Sequence, residues 1–134
     1  MKWTTANDIT KRIKFLVKEL DLKYISSGQI HTFRSYGSSG RATARIWSLP
    51  TIWQQALNTS PAYCLEVISE RFDKLKPDDQ ERVLIHELLH IPKTFSGALV
   101  PHRTHRHRSF HHYHDTVESL FKSLKNRSYA NPSR

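Results

Sequence analysis

The chain has 134 residues, of which 37% are hydrophobic, enough for one domain with a modest core and too many for a disordered chain. Its 21 lysines and arginines outnumber 12 acidic residues to give a net charge of +9, which favours anionic partners. Cys64 stands alone, so no intrachain disulfide forms and a reducing, cytoplasmic setting is expected, with no apolar leader after Met1 and no run able to span a membrane.

Asp8 is placed to cap a first helix ending near Leu20, on which Ile9, Ile13, Leu16, Val17 and Leu20 share one face. Lys23 to Tyr36 reads as a strand broken at Ser26-Ser27-Gly28. Gly37-Ser38-Ser39-Gly40 reads as a turn and Ala42 to Trp47 as a second strand, so the two are expected to form a hairpin. Pro50 opens a short helix with Ile52, Trp53 and Leu57. Ala62 to Ser69 is a third strand, mostly apolar and therefore covered.

Pro77-Asp78-Asp79 is a strong helix start, because proline fits the first turn and carboxylates favour the positive end of the dipole. This helix is expected to reach about Ile91, where Pro92 forbids continuation. Asp115 to Glu118 resembles a capping box for a last helix with Val117, Leu120, Phe121 and Leu124 on its apolar face. The pattern implies an α+β fold, with helices packed on a small mixed or antiparallel sheet. The domain is expected over residues 1–125, followed by a basic tail over 126–134.

His86-Glu87-Leu88-Leu89-His90 lies on the helix that starts at Pro77, among apolar neighbours that make it a core helix. Four residues turn a helix by about 400°, so both imidazoles stand on one face and can reach a single Zn²⁺. Glu87, beside the first ligand, can take a proton from the attacking water. The bland alternative is a helix that happens to carry two histidines. Polar groups among buried neighbours argue against it, because they are costly unless compensated.

An open catalytic site needs a third protein ligand. The position six residues past His90 is Ser96, which excludes the metzincin arrangement. His102, after Pro101, is closest to folding back on the helix, and His114 is the next candidate. His105, His107, His111, His112 and Glu118 complete the set. The tract from His102 to His114 holds six histidines and three arginines with no acidic residue, so weak nucleic-acid binding through it is also expected.

Other residues point less sharply to function. Arg34, Arg41 and Arg45 read as a solvated strand face that could instead orient peptide or phosphate. Trp3, Trp47 and Trp53 read as core or hinge packing, Cys64 as a buried, inert thiol, and His31 as structural. Tyr113 is a weak candidate for contacting a reaction intermediate.

The stretch from His86 to Gly97 with Pro101-His102 resembles the phage-type metallopeptidases, small zincin-like proteins of phages, bacteria and archaea. Arg34-Ser35-Tyr36-Gly37-Ser38 and Ala44-Arg45-Ile46-Trp47-Ser48-Leu49-Pro50 resemble the same family, so the likeness covers about residues 30 to 124. The resemblance implies a minimal zincin fold, a zinc metalloendopeptidase acting on peptide or protein, metal ligands His86, His90 and His102, and Glu87 as the catalytic base. The chain departs from the family pattern in its many histidines after His102. A more distant similarity links it to SprT-like and WSS-type proteases, which act on proteins crosslinked to DNA. Two rival readings are a basic DNA-associated protein with a structural, four-ligand zinc, and a metal-buffering or adaptor protein. In the peptidase reading, an exposed sheet edge near Ala42–Trp47 or Ala62–Ile68 aligns the substrate.

Overall fold

A computed structural model describes residues 1–101 and 109–130, with the side chains of 1–101 and 114–126. Four strands, β1 (Lys2–Thr5), β2 (Ile30–Tyr36), β3 (Ala44–Trp47) and β4 (Tyr63–Ile68), form one sheet in the order β1-β2-β4-β3. β2 and β4 run parallel at its centre, and β1 and β3 pair antiparallel on the outside. The helices are α1 (Asn7–Glu19), α2 (Thr51–Leu57), α3 (Ser69–Phe72), α4 (Pro77–Leu88) and α5 (Ser109–Ala130). The fold is α+β. α1 packs on β2, α4 on β3 and α5 on α4.

The expected β2–β3 hairpin does not form. β3 pairs with β4 instead, with Arg45 opposite Glu66, because β2 already has β1 and β4 on its two edges. The physical driver is β4, whose Tyr63, Leu65, Glu66, Val67 and Ile68 are all buried. Such a strand demands neighbours on both sides, and a hairpin would have left it at an edge. β4 is therefore interior, and of the two candidate edges only β3 is free.

The apolar stripe of α1 is as expected, with Ile9, Ile13 and Leu16 buried, but Asp8 does not cap it. Ala6 holds the cap position, and the Asp8 carboxylate accepts from Arg34 Nη1 at 2.9 Å. Tertiary charge pairing outcompetes the local cap. Pro77 opens α4 as expected. The helix ends at Leu88 rather than Ile91, because the residue before Pro92 disfavours the α region and the last turn tightens. His90 N–H donates to Glu87 O and Ile91 N–H to Leu88 O, both at 3.1 Å, in the tighter i to i−3 pattern.

α5 begins six residues before Asp115, so that aspartate lies inside the helix rather than at its cap, and the helix runs to Ala130, past Asn126. Histidine is a tolerable helix residue, and nothing between Ser109 and Asp115 breaks the run. Val117, Phe121 and Leu124 are buried against the rest of the core, as their spacing implies. β1 has no counterpart in the sequence reading, since four residues with one apolar side chain carry too little periodicity.

Candidate metal centre

The last two turns of α4 bury Leu84, Ile85 and Leu88 against the sheet, which fixes the rotation of the helix. His86 and Glu87 then project on the side where β3 ends the sheet, and His90 joins them from the turn that follows. The ligand atoms of His86, Glu87 and His90 all lie within 4.8 Å of one another. The two imidazole rings are 5.1 Å apart at 74°, and His86 Nε2 is 3.9 Å from Glu87 Oε2. Glu87 and His90 are buried and His86 is half-buried. Burial pushes the Glu87 carboxyl up to about 7, since the charged form loses hydration there.

His90 is oriented from behind. Its Nδ1 bonds the carbonyl of Val100, and Val100 N–H donates back to His90 O at 2.7 Å. A carbonyl can only accept, so Nδ1 is the donor of this bond, and in the neutral tautomer that donates there the metal-ligating lone pair belongs to Nε2. The segment between Pro92 and Val100 is in turn pinned at several points. Gly97 N–H donates to Tyr63 Oη at 2.9 Å, and Tyr63 Oη donates to Ala98 O at 2.8 Å. Gln54 Nε2 donates to Leu49 O and Ser96 O, each at 2.8 Å. Gly97 adopts φ +94°, and a Cβ there would clash with Leu49 O and Gln54 Nε2, so only glycine lets the loop and β3's continuation meet.

Two cavities flank the group. One, about 650 Å³, lies between β3 (Ala44 to Trp47) and Leu99, Val100 and Pro101. The other, about 360 Å³, lies between α4 and α5 and includes Thr43, Val83, His114 and Val117 beside His86 and Glu87. His114 therefore borders the same centre from the far side. Glu118 lines the same cavity, with its carboxylate accepting from Arg82 Nε at 2.7 Å. His102, His105 and His107 lie outside the described residues, as do the side chains of His111, His112 and Tyr113 and most of the tract assigned to nucleic acid.

The remaining sequence candidates resolve differently. Arg34 is not poised for substrate, because it is clamped between Asp8 and Asp73, bonding the latter through Nε and Nη2 at 2.8–3.2 Å. The tryptophans are not core residues. Trp3, Trp47 and Trp53 are 52%, 49% and 55% exposed, since β1 and β3 turn theirs to the sheet face away from the helices and α2 buries none of its side chains. Cys64 is half-buried, and burial raises its thiol, which keeps it protonated and unreactive. His31 is exposed on β2.

Sequence reasoning missed Val100, Tyr63 and Gln54 as positioning residues. Val100 acts through its backbone and leaves no signal in its side chain. Gly97 was the visible clue, as a glycine between a proline-terminated helix and Pro101.

The chain matches the family model described as Putative phage metallopeptidase over residues 1–125. No curated protein and no solved structure matches it. Among the described residues, no helix is long and apolar enough to cross a membrane.

Proposed function

Because the chain belongs to this phage metallopeptidase family, we propose that it is a zinc-dependent metalloendopeptidase in which His86, His90 and His102 hold the metal and Glu87 is the general base. The observation that carries this reading is the convergence of His86, Glu87 and His90 beside the free edge of a sheet. The donor set suits zinc: two imidazoles one helical turn apart, one of them held by Val100 through Nδ1. Zinc bound there supplies a Lewis acid that polarises the scissile carbonyl and acidifies water.

The protein's own groups do the rest. Among the described residues β3 pairs only with β4, so the N–H and C=O groups on its other side can align an extended peptide as an added strand, which brings its backbone past the metal centre. Glu87 takes the proton from the attacking water at its carboxylate and passes it to the leaving amine nitrogen. Its burial favours that uptake, because the protonated carboxyl is the better solvated form in an apolar wall. Cys64, with no second cysteine in the chain, fits work in a reducing compartment such as the cytoplasm.

Glu87→Gln is the test, since the amide keeps shape and removes the base. Zinc content should stay at the wild-type value while cleavage of unfolded casein falls by about a hundredfold or more. Wild-type turnover in that variant refutes the mechanism. A wild-type protein that takes up no zinc refutes the site.

A further inference from the structure

The sheet face turned away from the helices carries a third cavity. On β4, Tyr63, Leu65 and Val67 belong to the helix-covered core, so the alternating Cys64 and Glu66 point to the opposite side. The register sets Phe33 and Arg45 beside Glu66 and Trp47 beside Cys64, with Trp3 on the strand beyond. Trp3, Phe33, Trp47, Cys64 and Glu66 enclose about 430 Å³, a volume typical of ligand sites. Glu66 forms part of its floor and is only 1% exposed.

That carboxylate is half satisfied. Trp47 Nε1–H donates to Oε1 at 2.9 Å, whereas Oε2 has no hydrogen-bond partner among the described residues. Arg45 comes within 3.8 Å of Oε2, close enough to offset charge and too far to donate a hydrogen bond. A buried carboxylate with a single hydrogen bond leaves negative charge under the cavity that a cation would offset. Three aromatic side chains line the cavity with it, and aromatic rings attract cations most strongly once water is excluded.

We propose that this cavity binds the basic side chain, lysine or arginine, of a polypeptide, with the cation among the three aromatic side chains and held there by the charge of the underlying Glu66 carboxylate. A neutral alkyl chain would gain nothing from that charge, and an anion would be repelled by it. The polypeptide source follows from β3. A strand added along its free edge presents every second residue on this same face, next to Trp47, which also borders the cavity at the metal centre. The choice of a polypeptide rests on the peptidase reading, but the test below reads binding without hydrolysis, so either can fail alone.

The full chain is titrated with Ac-Ala-Lys-Ala-NH2, its norleucine counterpart and free n-butylammonium chloride while the indole N–H resonance of Trp47 is followed by NMR. The lysine peptide should shift it saturably. The norleucine peptide and n-butylammonium should each bind about tenfold more weakly or worse, the first for want of a positive charge and the second for want of a backbone. Glu66→Gln should lower lysine-peptide affinity by a similar factor with the resonances of Trp3 and Trp53 in place. If that variant fails to fold, Trp3→Ala, at a half-exposed position, should weaken binding severalfold. Equal binding of the norleucine peptide, or wild-type binding by whichever of these variants fold, overturns the site. Equal binding of n-butylammonium overturns the polypeptide assignment.

Discussion

Tyr63→Phe removes one oxygen from a ring that is 1% exposed and otherwise leaves the core intact. The ring keeps its edge contact with Phe95, 5.1 Å between centroids, so no apolar surface is lost and no cavity of consequence opens. What goes is the bridge from β4 to the loop after α4. Gly97 N–H loses its acceptor at 2.9 Å and Ala98 O its donor at 2.8 Å. Two hydrogen bonds at about 1 kcal/mol each, plus about 1 kcal/mol for leaving the buried Gly97 N–H unpaired, give a loss of about 2–3 kcal/mol. With a urea m-value of about 1–3 kcal/mol/M, the unfolding midpoint should fall by roughly 1–2 M at unchanged m. The same loop holds Val100 on His90, so zinc affinity should fall about tenfold alongside stability, by analogy with other outer-shell deletions. Competition against a chromophoric chelator reads that second effect. A stability loss below about 0.5 kcal/mol, within the range of an ordinary surface change, would refute the claim that this hydroxyl anchors the loop.

Gly97→Ala should be worse than Tyr63→Phe, by about 3 kcal/mol or more in the same urea assay. Its φ of +94° penalises any side chain, and the new methyl meets the backbone oxygen of Leu49. His90→Ala should abolish stoichiometric zinc uptake, as measured by elemental analysis, since it deletes one of the two imidazoles one turn apart. Arg34→Ala should cost about 1–2 kcal/mol at neutral pH and progressively less in acid. Its hydrogen bonds hold the Asp73 and Asp8 carboxyls below their ordinary value of 3.8. Stability from such groups is fully present above 3.8 and is lost as pH falls through the lower folded-state values. The wild-type and Arg34→Ala unfolding curves should therefore converge as the pH falls below 3.8, and a gap that stays constant from pH 7 into strong acid contradicts the clamp.

Local chemistry alone determined a good deal about this protein. The helical repeat around Ile9 to Leu16, the Pro77 start of α4 and the spacing of His86, Glu87 and His90 are contained within one or two turns of chain. Short-range geometry settles such features, and the sequence displays all of it. The tertiary structure decided what depends on partners distant in sequence. β4 took the centre of the sheet because its buried run needs two neighbours, and that choice made β3 the free edge beside the metal centre. Asp8 left its cap for Arg34 because a charge-assisted bond across the fold outweighs a local one. Val100 orients His90 through a backbone carbonyl, a group every residue possesses, so no letter in the sequence marks it. The half-satisfied Glu66 reads in the sequence as one carboxylate in an apolar strand. Only the register of β2, β3 and β4 gathers two tryptophans and a phenylalanine around it, because side chains on separate strands become neighbours through the pleat and not through the chain.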